Sequence, residues 1–215
     1  MDERATGIIL RVRPLTESSL IVHWLTEDLG RINTVGKGAR KPKSVLHGKL
    51  DLYFRGEFSF VRSRRSELHN LRELKLLETH AELRRDLQKI RLLAYITNLI
   101  EQTTELDTPI AETCERFNSL LEHLLQHEAQ PRIVFAFELK HLSDLGLQPN
   151  LDESSKDADV RSLISQLADC TWSEIAKLKA TRAQVKSIQQ FLHGFLIYHI
   201  DRLPKGRAAA LKMLE

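Results

Sequence analysis

Residues 7–35 have the sequence GIILRVRPLTESSLIVHWLTEDLGRINTV, and three apolar runs within this stretch decide the fold. In the first run, Ile8, Leu10 and Val12 recur at every second position. The second run, residues 20–25, alternates in the same way, and a third run follows the next glycine. A period of two residues is that of a β-strand. Short strands separated by glycines and polar turns predict a small sandwich or barrel.

Two later runs extend this pattern. Residues 50–54 predict the start of a fourth strand, which Phe58 and Phe60 continue beyond Gly56. A less regular run from about residue 67 to residue 77 predicts the fifth strand. Five strands within about 75 residues fit the OB-fold, a small barrel that commonly binds single strands or oligosaccharides.

The apolar spacing lengthens to that of helices from about Ala81. Thr108-Pro109 predicts the start of one helix, with the threonine as N-cap. A further helix is predicted from residue 131 to a C-terminal glycine at residue 146. The sequences at 171–174 and 181–184 both match the capping box, and the second opens a long amphipathic stretch.

The two patterns together predict an α+β protein with two domains. Residues 1–79 are predicted to form a five-stranded OB-fold barrel, and residues 80–215 an all-helical domain. The 215 residues are enough to bury a sizeable core, and 42% hydrophobic with 28% charged residues is ordinary for a globular protein. No apolar run approaches membrane-spanning length and the first residues lack a signal-peptide pattern, so we expect a cytoplasmic protein without membrane contact.

The net charge of +3 conceals an uneven distribution. From Arg31 to Arg65, ten basic residues stand against Asp51 and Glu57, which gives this stretch a charge of +8. The remaining 22 basic and 27 acidic residues carry −5. Such asymmetry predicts a polyanionic partner for one part of the chain, with a solvated basic face as the alternative.

The centre of this stretch is GKGARKPKS, residues 36–44, which we call the basic segment. Its glycines permit tight turns, and its proline discourages regular structure. It lacks the Gly-x-x-x-x-Gly-Lys-Ser/Thr pattern of nucleotide-hydrolysing loops. We predict a loop that contacts several DNA phosphates at once, with a flexible solvated loop as the alternative. Its four cations are Lys37, Arg40, Lys41 and Lys43.

Other basic residues are predicted to extend this surface or to add a second patch. Among the aromatic residues, Trp24 shares an apolar alternation and is predicted to lie in the core, whereas Tyr53 is open between the core and base stacking. The additional predicted DNA contacts are Arg11, Arg13, Arg62, Arg64, Arg65, Lys205 and Arg207.

No arrangement of residues in the sequence supports catalysis, a cofactor or a metal. Cys114 and Cys170 stand alone, which is too little for a disulfide framework or a cysteine-rich zinc site. Cys114 falls on an apolar helical stripe, which favours a small buried side chain over a nucleophile. We therefore predict a protein that is not an enzyme.

Several segments of the chain, in the same order, resemble proteins of the RecO family. The N-terminal matches are specific, and the later ones are weaker. They are TGIILR (6–11), ESSLIV (17–22), TEDLGR (26–31), KGARKPKS (37–44), Phe137-Glu138-Leu139, Leu145-Gly146 and Lys205-Gly206-Arg207.

The resemblance implies a DNA-binding recombination mediator that acts in DNA repair after DNA damage. It implies binding of single- and double-stranded DNA, strand annealing, and partnership with RecR, with RecF as a further candidate partner. Together these activities help RecA replace single-strand-binding protein in gap repair, in the bacterial cytoplasm and at the nucleoid. The alternative from another class is a protein-interaction adaptor whose basic segment binds an acidic protein.

The resemblance also implies that the helical domain recognises the acidic C-terminal tail of single-strand-binding protein. We predict that the tail binds an apolar groove beside the helix that holds Phe137, with Arg132 or Lys140 supplying charge. Many family members carry a four-cysteine zinc site after the segment matching Leu145-Gly146, but residues 148–169 contain no cysteine. The family also often has arginine where this chain has Ala136. We therefore predict no zinc. If that arginine contacts the tail, the contact in this chain comes from other residues or is weaker.

Overall fold

Five strands close into a barrel in the N-terminal part of the chain. The computed structural model describes residues 2–150 and 157–212. The strands run in the order β1-β2-β3-β5-β4 around the barrel, and all neighbours are antiparallel except the parallel pair β3 and β5. This is the five-stranded barrel of the OB-fold, followed by helices, and the predicted α+β class is confirmed. The strand bounds are β1 Asp2–Pro14, β2 Leu20–Thr26, β3 Gly30–Gly36, β4 Arg55–Val61 and β5 Leu68–Glu78.

The barrel is filled by apolar side chains around Trp24. Its indole is fully buried and stacks on Phe58, with 4.0 Å between ring centroids. The indole Nε1–H donates to Thr34 Oγ1 at 2.8 Å, which satisfies the one polar group that burial removes from water. The core position predicted for Trp24 is therefore confirmed. The surrounding core residues include Ile9, Val22, Ile32, Phe54, Phe60, Leu71 and Leu74.

The predicted start of the fourth strand at residue 50 is wrong, because β4 begins at Arg55. Tyr53 has a φ of 64°, a left-handed conformation that interrupts an extended chain. It is held there by its N–H, which donates to Ile9 O at 2.8 Å, while Ile9 N–H donates to Phe54 O at 2.9 Å. Tyr53 and Phe54 are both buried. The apolar alternation of residues 50–54 therefore reflects a loop that buries Tyr53 and Phe54, and the open choice for Tyr53 resolves to the core.

Seven α-helices lie among the described residues, after a short 3₁₀ helix at Ala81–Arg85. Both predicted capping boxes are present, at Thr171 with Glu174 and at Thr181 with Gln184. Each threonine hydroxyl accepts a hydrogen bond from the backbone N–H three residues on. The threonine's own backbone N–H donates to the side chain of that residue, so two otherwise unpaired donors are satisfied. The helix bounds are α1 Leu87–Thr103, α2 Ala111–Gln126, α3 Pro131–Asp144, α4 Ala158–Asp169, α5 Trp172–Ile175, α6 Arg182–Ile200 and α7 Arg207–Leu211.

Helix α3 begins and ends where the sequence predicts. Pro131 occupies its first turn, where its missing N–H costs nothing. Gly146 has a φ of 75°, and its N–H donates to Ser143 O at 2.9 Å. The N–H of Leu147 donates to Leu142 O at 2.8 Å, which completes a Schellman cap.

The predicted N-cap at Thr108 is wrong, because α2 begins three residues later at Ala111. The Thr108 hydroxyl donates backwards to Leu106 O at 3.3 Å and does not cap the helix. The first helical carbonyl is that of Ile110, which accepts from Cys114 N–H at 3.0 Å.

The chain divides into two compact units, and neither is continuous in sequence. The first comprises residues Met1–Arg85 and Thr104–Leu125, so α2 belongs with the barrel. Within it, Arg31 Nε donates to Thr104 Oγ1 at 2.7 Å, and the Tyr53 and Phe117 rings lie 6.1 Å apart. The second unit comprises Asp86–Thr103 and Gln126–Glu215.

Candidate nucleic-acid interface

The basic segment is an ordered chain of turns that begins where β3 ends. Gly38 has a φ of 66° and its carbonyl accepts from Lys41 N–H at 2.9 Å; the next turn closes between Ser44 N–H and Lys41 O at 3.0 Å. Further turns follow at residues 44–49. The left-handed φ explains the glycine at position 38, because L side chains rarely adopt it.

The basic segment is anchored in the barrel core. Ala39 and, just beyond the segment, Leu46 are buried and belong to the cluster around Trp24. A flexible loop would not bury these residues, so the flexible-loop alternative does not describe the fold. The predicted cations Lys37, Arg40, Lys41 and Lys43 are all exposed. The segment therefore presents four cations on a fixed framework.

The segment also contacts the turn between β1 and β2. Arg40 N–H donates to Ser18 O at 3.0 Å, and Gly38 N–H donates to Ser19 Oγ at 3.3 Å. Arg13 is exposed at the end of β1, just before this turn. Arg11 is half-buried and pairs in register with His23 of β2. The structure thus brings Arg13 towards the basic segment, at one of the two loop sites that OB-folds use for oligonucleotides.

The predicted cations of the β4–β5 turn differ in exposure and in their bonding partners. Arg64 and Arg65 are exposed. Arg62 Nε instead donates to Glu3 Oε1 at 3.0 Å, and its Nη1 donates to Asp107. These hydrogen bonds raise the pKa of Arg62. Its guanidinium is already committed to two carboxylates, so phosphate contact from Arg62 would require exchanging these partners.

The two predicted cations near the C-terminus also differ in exposure. Lys205 is exposed, but Arg207 is only 5% exposed and lies inside the helical unit. Its Nε and Nη2 donate to the two carboxylate oxygens of Glu138 at 2.7 and 2.9 Å. Burial opposes the charged guanidinium, yet the hydrogen bonds and charge of Glu138 raise the pKa of Arg207. Arg207 is therefore placed in a buried ion pair, and we remove it from the proposed DNA surface.

Tyr95 of α1 completes this buried cluster. Its hydroxyl donates to Glu138 Oε1, and both residues are fully buried. Burial and the neighbouring carboxylate raise the pKa of Tyr95 well above its ordinary value, which keeps the hydroxyl protonated as a donor. The cluster joins α1, α3 and α7.

An apolar groove of about 410 Å³ runs beside α3 in the helical unit. Arg132 and Phe135 of α3 line it, together with Leu163 and Leu167 of α4. The predicted Phe137 does not line it, because this ring is fully buried and stacks on Trp172 at 6.4 Å. Side chains two positions apart on a helix point in nearly opposite directions, so Phe137 faces away from the groove that Phe135 lines. Arg132 and Phe135 are three positions apart and therefore share the groove face.

The cations beside the groove are only partly those predicted. Arg132 is half-buried and donates to the carbonyls of Ala176 and Leu178. Lys140 is 8% exposed, and its Nζ donates to Ala168 O at 2.6 Å, away from the groove lining. Sequence reasoning missed Arg182 and Lys186, which line the groove from α6. Their spacing of four residues within a predicted amphipathic helix was the available signal.

Two models of one protein family match the chain. Recombination protein O N terminal matches residues 1–80, and Recombination protein O C terminal matches residues 84–158. The chain belongs to the RecO family.

Curated RecO proteins from several bacteria are similar to this chain. DNA repair protein RecO of Syntrophus aciditrophicus is 27% identical over 71% of this chain and 60% of its own length. That of Bacillus pumilus is 31% identical over 70% of this chain and 58% of its own. That of Alkaliphilus metalliredigens is 26% identical over 93% of this chain and 94% of its own. The chain thus spans about three fifths of the first two relatives and nearly all of the third.

The two cysteines of this RecO-family chain differ in burial. Cys114 is buried, which raises the pKa of its thiol to about 12, with Glu27 adding to the shift. Cys170 is half-buried at the C-terminal end of α4. Among the described residues no group of three or more His, Cys, Asp or Glu side chains is placed to hold a metal ion. In the same residues, none of the helices is long and apolar enough to cross a bilayer.

We predict that iodoacetamide modifies Cys170 and spares Cys114 in the folded protein. Alkylation needs an accessible thiolate, and a buried thiol with a pKa of about 12 supplies neither. Mass spectrometry of peptides after timed labelling measures both sites, and labelling in denaturant is the control in which both react. Equal labelling of the two cysteines in the native protein would contradict this placement.

Proposed function

We propose that this RecO-family chain is a non-enzymatic recombination mediator of DNA repair. It binds single- and double-stranded DNA, anneals complementary strands, and helps RecA load onto DNA coated with single-strand-binding protein. The observation that carries this proposal is the basic segment, whose four exposed cations stand on turns anchored by Ala39 and Leu46. An ordered array loses little conformational entropy when it binds, which favours contact with several phosphates at once.

The mechanism of binding is electrostatic. Lys37, Arg40, Lys41 and Lys43 contact phosphates, which carry no sequence information, and the released counterions drive association. Arg13 extends this surface, and Arg64, Arg65 and Lys205 are exposed further contributors. Neutralising the phosphates of two strands lowers their mutual repulsion, which is the condition that annealing requires.

Two measurements on the unmodified protein test this proposal. A salt titration of DNA binding is expected to show a steep loss of affinity with salt and little dependence on sequence. Strand annealing is then measured with and without single-strand-binding protein on the DNA, and acceleration is expected in both cases. Salt-independent or absent DNA binding would favour the alternative, an adaptor whose basic segment binds an acidic protein.

The proposed partners are RecR, RecF and single-strand-binding protein, and the proposed location is the bacterial cytoplasm, at the nucleoid. The groove beside α3 supports the acidic tail of single-strand-binding protein as a ligand. Its walls are apolar, and Arg132, Arg182 and Lys186 supply positive charge. An apolar groove with convergent charged groups suits a peptide that combines apolar and acidic side chains.

We predict that the double variant Arg182→Glu with Lys186→Glu binds the tail peptide about tenfold more weakly, because two attractive charges become repulsive. Arg182 is exposed and Lys186 also faces solvent, so the fold is expected to persist. Fluorescence polarisation with a labelled tail peptide measures the affinity. The matched control is Lys177→Glu with Lys179→Glu, which changes the net charge equally at exposed positions outside the groove lining. Equal affinity for both double variants would remove the groove from the proposal.

A further inference from the structure

Helix α6 presents aromatic rings on a flank that the helical core does not use. Its buried residues are Ile188, Leu192 and Leu196. Phe191, Phe195 and Tyr198 form a separate line along the helix, which we call the aromatic stripe. Tyr198 is 84% exposed, far more than a core aromatic, and the two phenylalanines are half-buried. Large exposed aromatic surface of this kind marks an interaction site.

The rings of the stripe contact one another and His199. The Phe191 and Phe195 ring centroids lie 6.0 Å apart, and His199 packs against Phe195 at 4.3 Å and edge-on to Tyr198 at 4.9 Å. Between the rings, Gly194 leaves a notch in which an added Cβ would meet nothing within 4 Å. The stripe lines a shallow depression together with Gln190 and His199. The Tyr198 ring, at 84% exposure, is therefore accessible to a planar ligand, whereas a peptide anchor needs an enclosed pocket.

Charged residues follow the stripe just beyond the C-terminal end of α6. They are Asp201, Arg202 and Lys205, which give residues 201–205 a charge of +1. Arg202 and Lys205 follow directly after α6 and are both exposed. Their backbone is fixed to α1, since Gln102 Nε2 donates to Arg202 O at 2.6 Å and Asn98 Nδ2 donates to Lys205 O at 2.9 Å. The backbone that carries both cations is thus fixed just beyond the C-terminal end of α6.

This charge distinguishes between possible occupants. A second copy of the chain packed through the stripe would use the rings alone, without a need for the cations Arg202 and Lys205 beside them. An anionic ligand with exposed planar groups satisfies both the rings and the cations.

We propose that the aromatic stripe is a stacking platform for the bases of single-stranded nucleic acid, with Arg202 and Lys205 on its phosphates. Single-strand sites combine aromatic faces with cations in this way, whereas duplex bases are stacked on one another and unavailable. The proposal rests on the proposed DNA-binding function and deepens it. The barrel contacts phosphates of either DNA form, and the stripe adds a contact selective for an unpaired strand, as annealing requires.

The test measures binding of the full chain to a labelled oligothymidylate of about 16 nucleotides, and to a duplex of equal length, across a salt series. Tyr198→Ala is expected to weaken single-strand binding at least about fivefold, because the variant loses the stacking of one base on the tyrosine ring. Duplex affinity and the salt slope are expected to stay at wild-type values, because no phosphate contact is lost. Tyr198→Phe keeps the ring and is expected to retain binding.

A second pair of variants guards against effects on folding. Gly194→Ala fills little of the notch and favours the helix, so wild-type binding is expected. Gly194→Glu places bulk and negative charge in the notch, and single-strand binding is expected to fall while duplex binding stays.

Wild-type oligothymidylate binding by Tyr198→Ala and Gly194→Glu would overturn the proposal. So would a loss of self-association or of tail-peptide binding in Gly194→Glu with single-strand affinity unchanged, because the stripe would then serve a protein. In each of these cases a normal salt slope and duplex affinity would leave the barrel's proposed function standing. Loss of all DNA binding in wild type would instead remove both proposals.

Discussion

Replacing Arg207 by alanine is expected to lower the free energy of unfolding by about 3–5 kcal/mol. Glu138 is fully buried, and its two carboxylate oxygens accept from Arg207 at 2.7 and 2.9 Å. Tyr95 is then the only other donor that the structure gives this carboxylate among the described residues. Removing the guanidinium leaves a buried charge without its counterion, and that desolvation penalty dominates the loss.

Denaturant unfolding followed by circular dichroism measures this effect. The matched control is Lys205→Ala, since Lys205 is exposed two residues earlier and its loss is expected to change stability by at most about 0.5 kcal/mol. A triple variant, Tyr95→Phe with Glu138→Leu and Arg207→Leu, removes the polar cluster as a whole. It is expected to be far more stable than Arg207→Ala, because no charge remains buried. A loss below about 1 kcal/mol for Arg207→Ala would contradict the buried ion pair.

The contrast between Lys205 and Arg207 shows what a sequence pattern leaves open. Both are cations within three residues of each other, and charge counting assigns them one role. The partner that buries Arg207 is Glu138 on α3, which lies 69 residues away in sequence. Glu138 stands among apolar residues of a predicted helix, and a buried carboxylate at such a position needs a hydrogen-bonding or cationic partner. The need is visible in the sequence, but the identity of the cation is not.

Local signals predicted structure well where the controlling contacts are local. The capping boxes at Thr171 and Thr181 and the glycine cap at residue 146 involve bonds within a few residues, and all three are confirmed. The strand periods were sufficient to predict the barrel. The fourth strand was predicted to start too early. The apolar side chains of residues 50–54 pack on β1 and the core, but their backbone does not pair as a strand.

Features set by distant contacts were less accessible. The grouping of α2 with the barrel depends on contacts such as Arg31 with Thr104 and Tyr53 with Phe117, which cross more than sixty residues. The groove beside α3 was anticipated, but its face was not. Helical geometry places Phe135 with Arg132, and only the packing of Phe137 on Trp172 shows which ring is buried.

The basic segment combines both cases. Its glycines and proline predicted a loop, and its cations are exposed as expected. Its order was not predicted, because that comes from Ala39 and Leu46 in the core and from the bond between Arg40 N–H and Ser18 O. The cations point to solvent while small apolar side chains hold the backbone. Charge and stability can therefore be separated by mutation.

Reversing the charge of Lys37 and Arg40 together is expected to weaken DNA binding without loss of the fold. Each lost phosphate contact lowers the slope of log affinity against log salt by about 0.7 on single strands and about 0.9 on duplex, so the double variant loses about 1.4 to 1.8. At 0.1 M salt this corresponds to roughly 25- to 60-fold weaker binding. The loss is expected to be similar for unrelated sequences, because phosphates and not bases are contacted.

Lys37→Glu with Arg40→Glu is compared with wild type in a salt titration on single-stranded and duplex DNA. The matched control is Lys177→Glu with Lys179→Glu, which makes the same change in net charge on the helical unit. Circular dichroism and thermal unfolding establish that both double variants are folded. The side chains of Lys37 and Arg40 are exposed, whereas the anchors Ala39 and Leu46 are untouched, so unfolding is not the expected result.

If a folded Lys37→Glu, Arg40→Glu protein kept wild-type affinity and salt slope while the control did the same, the basic segment would not be the DNA contact. Equal losses in both would assign the effect to net charge alone, and only a loss confined to the barrel variant supports a phosphate-binding segment.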